Sequence, residues 1–195
     1  MHPVLQQVYD AWHADLAGKP VDWCQLHPRQ DDRLWSIQGL VEHLALACRS
    51  SSRVLEKRLQ KGEPAGGFSS PSQWLLQIAV LSMGRMPRGA PAASFLRPGQ
   101  LHWPPTGGDG LLEFMRAEME RMDQLLDASR QRFGLQRVAP HFLLGPLRPD
   151  QWRRFHVIHF RHHLEQLHRI EAQLTASGLA PQRASSAPGV APSVF

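Results

Sequence analysis

His156-Val157-Ile158-His159-Phe160-Arg161-His162-His163-Leu164-Glu165-Gln166-Leu167-His168 holds five of the protein's 11 histidines. His159 and His163 are four residues apart. On a helix that spacing puts both imidazoles on one face, one turn apart. Two imidazoles at that separation can grip one metal ion. At about 100° per residue the same face carries Trp152, His156, Gln166, Leu167 and Ile170. Arg153, Arg161, Glu165 and Arg169 fall largely away from it. The stretch therefore reads as an amphipathic helix whose inward side is both apolar and rich in imidazole. Buried histidines need partners, either each other across a wet groove or a shared ion.

Working outward, this helix is expected over 149–176, opened by Pro149 in the first turn. Four more helical segments are legible in the 195 residues. Leu5, Val8, Tyr9, Trp12 and Leu16 keep helical spacing until Gly18-Lys19-Pro20. A second helix over 36–60 starts at Ser36 as N-cap. Its inner stripe is Leu40, Leu44, Ala47, Cys48, Ser51 and Leu55, and its outer stripe is Gln38, Glu42, Arg49 and Arg53. His43 sits at the edge of the inner stripe. A short third helix is expected over 72–83, and a fourth over 109–132, capped by Asp109 and ended by Gly134. No strand alternation is convincing, since His141-Phe142-Leu143-Leu144 is short and bounded by prolines. The fold class is all-α, with four longer helices forming a bundle, an extra short helix and a long Pro-rich loop at 84–108.

That loop is long for a compact domain, and such loops are often functional. It carries Phe95, Leu96, His102 and Trp103, and the last two are expected at a pocket mouth. The end, 178–195, is rich in Ala, Pro and Ser without periodicity and is expected to be disordered. Residues 1–177 then form one helical domain.

Composition narrows the function. The formal charge is +5, carried mostly by arginine and spread along the chain. Neither a recognition helix nor a basic-aromatic platform is visible, so nucleic acid is not an expected partner. Cys24 and Cys48 form no C-x-x-C pair. The opening residues do not read as a signal peptide. The longest apolar stretch, 74–83, is too short to cross a bilayer. A cytoplasmic protein without membrane attachment is expected.

Two motifs carry a resemblance. Trp35-Ser36 followed by Gly39-Leu40-Val41-Glu42-His43-Leu44 resembles the "W-S … H-L" start of the second helix in the DinB-like (DinB/YfiT-like) superfamily of metal-binding four-helix bundles. His159-Phe160-Arg161-His162-His163-Leu164-Glu165-Gln166 resembles that superfamily's "H-x-x-x-H-x-x-Q" in the last helix. The likeness covers about residues 1–176, and the segment from His141 to Leu147, before Gln151-Trp152, resembles a subgroup of mostly uncharacterised members. It implies an up-down-down-up bundle and three metal ligands, His43, His159 and His163, with Gln166 and His156 as supporting or substrate-orienting groups. Three imidazoles leave a coordination position open. They suit zinc or nickel first, and also iron, manganese or copper. Characterised members include transferases that activate a low-molecular-weight thiol. The expectation is thus a metal-dependent thiol transferase acting on a small molecule, with a non-enzymatic metal-binding or stress-associated protein as the alternative. A homodimer is compatible with either. Glu42 and Glu165 are expected to point away from the histidines, which argues against a hydrolase of the H-E-x-x-H type.

Overall fold

The computed structural model describes residues 1–28, 31, 34–86 and 92–178. The Ala/Pro/Ser tail beyond 178 and residues 87–91 of the Pro-rich loop lie outside the described residues. The described chain is mostly helical. Its elements are α1 (Pro3–Leu16), α2 (Val21–Cys24), α3 (Ile37–Lys61), α4 (Pro71–Gln77), α5 (Gly108–Phe133), β1 (Ala139–His141), β2 (Gly145–Leu147) and α6 (Pro149–Ala176). A π-helical turn, Ile78–Ser82, extends α4, and a 3-10 turn, Ser94–Leu96, lies in the Pro-rich loop.

Local chemistry sets the helix ends. Ser36 Oγ accepts from Gly39 N–H at 3.1 Å and opens α3. Gly62, with φ 72°, closes it in the left-handed conformation that favours glycine. Asp109 is not the cap of α5. Gly107 occupies that position, and Asp109 Oδ1 accepts from Gly18 N–H at 2.9 Å, tying α5 to the end of α1. Gly108 permits this close approach, because a Cβ there would sit 1.8 Å from the Leu16 carbonyl oxygen.

Contacts along the four long helices give their directions. Arg49 pairs with Glu118, Glu56 with Arg121, and Gly62 lies against Arg132, so α3 and α5 run the same way. Trp12 Nε1 donates to the Phe160 carbonyl at 3.2 Å and His168 meets Asp15, so α1 and α6 run alike. Asp109 near Gly18 and Arg116 over Tyr9 make α5 antiparallel to α1. Their inward stripes share one core in which Trp12, Leu40, Leu44, Met115, Met119 and Phe160 are fully buried. Each such apolar side chain contributes about 1.5–3 kcal/mol relative to exposure.

Two further sequence expectations change. A two-stranded antiparallel hairpin, β1 with β2, joins α5 to α6, pairing Ala139 with Leu147 and His141 with Gly145. Three-residue strands are too short to show alternation. The outer stripe of α3 is also partly covered. Gln38 and Glu42 are buried, because the segment 92–106 folds over them. Glu42 accepts from Leu101 N–H at 2.9 Å. Gln38 accepts from Thr106 N–H at 2.9 Å and donates to the Pro104 carbonyl at 3.2 Å. Among the described residues no helix is long and apolar enough to cross a membrane.

Candidate metal centre

The antiparallel pairing of α3 with α6 brings His43 against His159 and His163. His43 Nε2 and His163 Nε2 each lie 3.1 Å from His159 Nε2, and the three nitrogens fall within 4.8 Å of one another. All three side chains are buried. Aromatic rings wall the cluster. Trp35 lies 4.8 Å from the His43 ring, and Phe155 stacks on His159 at 5.4 Å and 22°.

Hydrogen bonds on the far side of two rings decide which nitrogen is free. His43 Nδ1 is 2.8 Å from the Leu96 carbonyl oxygen, which only accepts, so the His43 proton sits on Nδ1. His163 Nδ1 is 2.9 Å from Gln166 Oε1 and donates to it. Burial lowers the pKa of all three imidazoles. His43 falls below its ordinary 6.5, against a smaller upward pull from the Leu96 bond. His163 falls to about 3 through burial and then the nearby His43. His159 falls well below 6.5 through burial and then its two neighbours. All three are therefore neutral near pH 7, and His43 and His163 aim Nε2 lone pairs at the same point.

This arrangement fits a cation better than it fits protein alone. If His159 is protonated on Nε2, it satisfies one neighbouring lone pair and leaves the other facing it. A shared ion takes all three. The two 3.1 Å separations from His159 also match the roughly 3.3 Å spacing that tetrahedral bonds of ~2.0–2.1 Å produce. The cost falls on His159, whose Nδ1 is buried without a hydrogen-bond partner. Metal-bound histidines usually donate that second N–H to an acceptor.

The cluster forms one wall of a cavity of about 890 Å³. Trp35, Phe95, Leu96, Phe142, Phe155 and Ile170 give it an apolar lining. Among the described residues of its lining there is no carboxylate, and Arg169 is the only one of them that is charged at all pH values near neutrality.

Of the other sequence candidates, Gln166 is bonded to His163 on the cavity wall. His156 does not turn toward the cluster. Its Nε2 pairs with Ser51 Oγ at 2.9 Å, and its Nδ1 lies 3.9 Å from Cys48 Sγ. It fastens α6 to α3 one turn before His159. His102 and Trp103 are not among the cavity-lining residues. Trp103 packs on Phe114, with ring centroids 4.4 Å apart. Among the described residues the Pro-rich loop reaches the cavity through Met86, Ala92, Ala93, Phe95 and Leu96 instead. Sequence reasoning missed the Leu96 carbonyl, because a backbone acceptor leaves no mark in the sequence. It also missed His141, a buried residue of β1 on the cavity wall.

Over residues 115–170 the chain is similar to a family described as a protein of unknown function, DUF1569. The matched stretch spans most of α5, the hairpin and most of α6, including His159, His163 and Gln166; His43 lies outside it. No curated protein and no solved structure matches the chain.

Proposed function

We propose that this chain has the up-down-down-up four-helix bundle of the DinB-like superfamily and is a metal-dependent thiol transferase acting on an electrophilic small molecule. His43, His159 and His163 would hold a divalent ion, zinc or nickel first. Such an ion, when bound, lowers the pKa of a coordinated thiol or water and supplies a nucleophile near neutral pH.

The observation that carries this reading is where the three Nε2 atoms meet. They converge on the wall of a large cavity, and among the described residues no fourth His, Cys, Asp or Glu joins them. A storage or structural site would be closed by a fourth protein ligand. The attacking thiol has to come from outside the chain. Cys48 is buried, and its thiol is pushed far above the ordinary range by that burial; burial also pushes Cys24 up to about 11. The carboxylate nearest His43 in sequence, Glu42, accepts from Leu101 N–H and does not serve as a base in the cavity. Gln166 fixes the tautomer of His163 and keeps its Nε2 lone pair in place. Overall, a thiol R–SH and an electrophile R′–X give R–S–R′ and HX. The sulfur–carbon bond forms as the bond to the leaving group breaks.

A cobalt-substituted sample tests this. Adding a small thiol at millimolar concentration should produce a sulfur-to-metal charge-transfer band. An unchanged spectrum with several thiols would remove the transferase reading. One bound metal with no exchangeable position would favour the non-enzymatic alternative.

A further inference from the structure

His141 lies at the end of β1, where the chain turns into β2. Leu143 N–H and Leu144 N–H both point at its Nδ1, at 3.2 Å each. A nitrogen that accepts two amide protons carries none itself, so the imidazole proton is on Nε2. No hydrogen bond among the described residues uses Nε2. Nor is Nε2 among the buried polar atoms left without a partner, which include His159 Nδ1. His141 also lines the cavity. Its ring is held at 4.3 Å from Phe155, 4.8 Å from Phe142 and 5.2 Å from Trp152. Phe155 stacks in turn on His159, so one aromatic ring separates this imidazole from the three-histidine cluster. Two other polar side chains on the wall have their oxygens engaged within the protein. Ser51 Oγ donates to the Ala47 carbonyl and meets His156, and Gln166 Oε1 takes the His163 proton.

We propose that His141 is the ligand-orienting donor of this cavity: its Nε2–H takes the carbonyl, or a similar uncharged acceptor oxygen, of an aromatic or branched apolar molecule whose body fills the space beside the three imidazoles. The proposal rests on the cavity being a ligand site, as in the function proposed above, and specifies the class of ligand. Apolar walls select the body of the molecule and one fixed donor selects its acceptor, which is the usual division of labour in small-molecule sites. Burial lowers the His141 pKa to about 4. The donor is thus a neutral N–H throughout the physiological range and does not favour an anion.

Two substitutions separate the two edges of the ring. In His141→Asn, the amide oxygen takes the place of Nδ1 and still accepts from the turn, as asparagine does in an Asx-turn, but no donor reaches the Nε2 position. In His141→Gln, the longer side chain returns an amide N–H near Nε2 and gives up the turn bond. The probes are 2-acetylnaphthalene and 2-ethylnaphthalene, matched in shape and differing by the carbonyl oxygen. Their affinities are measured on full-length, metal-free protein, so that no ion competes for the ketone. The wild-type protein should bind the ketone roughly five- to tenfold more tightly, the size of one net hydrogen bond. His141→Asn should bring the two affinities together without weakening the hydrocarbon, and His141→Gln should recover part of the difference.

If folding of the variants is impaired, the His141 Nε2–H resonance of ¹⁵N-labelled wild-type protein reports the same contact. It should shift with the ketone and stay in place with the hydrocarbon. An unchanged preference in folded His141→Asn, a resonance indifferent to the ketone, or failure of both probes to bind would overturn the proposal. A zinc titration of the same wild-type sample tests the metal site separately. Absent zinc binding with an intact ketone preference would leave this inference standing and remove the thiol-transfer reading.

Discussion

Acid should unfold the metal-free protein in a pH range that most of its surface ignores. His141 and His156 lie outside the three-histidine cluster, and both are buried as neutral rings. Burial lowers them from an ordinary 6.5 to about 4 and about 3, respectively. Above pH 6.5 neither the folded nor the unfolded chain protonates them, and they leave stability unchanged. As the pH falls below 6.5, the unfolded chain takes up protons that the folded chain refuses. Stability then drops by about 1.4 kcal/mol per pH unit for each histidine. The loss stops near pH 4 for His141 and pH 3 for His156. At about pH 5 each has removed about 2 kcal/mol. Together that is a large part of the ~5–15 kcal/mol that holds a domain folded. His43, His159 and His163 lean the same way without metal. The assay is urea unfolding at fixed ionic strength between about pH 7.5 and about pH 5. The midpoint should fall steeply below pH 6.5, and His156→Gln should flatten the slope by about one proton. A midpoint independent of pH across that range would refute the reasoning, since these histidines would then titrate alike in both states.

Three further outcomes are expected. His43→Ala should lose most bound zinc and the thermal stabilisation that zinc confers, read by elemental analysis and by melting with and without metal; full stoichiometric binding would remove His43 from the ligand set. Gln166→Ala frees the His163 tautomer and should weaken metal affinity roughly 10- to 100-fold while the metal-free protein melts nearly unchanged, as measured by competition with a chelator. Gly108→Ala forces α5 away from the Leu16 carbonyl and should cost about 3 kcal/mol, the upper end of the usual overpacking range, checked by denaturant unfolding; a near-neutral result would show that the α1–α5 junction is slack.

The long helices were legible because each had an apolar stripe and a stop signal. For α6, Pro149 at one end and the stripe through Ile170 set the bounds 149–176. The α3 start was legible from Ser36 alone. What was not legible depends on tertiary cover. Gln38 and Glu42 look like solvent-facing residues by periodicity, and they become buried only because 92–106 offers backbone partners for both side chains. His156 shares a helical face with His159, yet Ser51 on the neighbouring helix claims it. Helical phase gives a direction around an axis, and it does not say which neighbour lies there. The hairpin escaped for another reason. Its strands are three residues each, below the length at which alternation can be recognised, and His141 read as part of an irregular loop.

Charge balance links the ligand set to the choice of chemistry. Three neutral imidazoles bring no negative charge to an ion. The cavity beside them has no carboxylate among the described residues of its lining and carries Arg169. Glu118, which is buried, is committed to Arg49, and Glu42 to a backbone amide. An ion held by His43, His159 and His163 therefore keeps its full charge in a poorly solvated place, where Coulomb interactions are strong. The ligand that relieves this best is an anion small enough to enter beside Trp35 and Phe155. Thiolate and hydroxide both qualify, whereas a neutral amine does not. Of the two, thiolate suits an apolar wall better, because sulfur is soft and weakly hydrated and its carbon chain can lie against the aromatic lining. A site built for hydroxide would place a carboxylate nearby to take the proton of water, and the described lining of this cavity presents none.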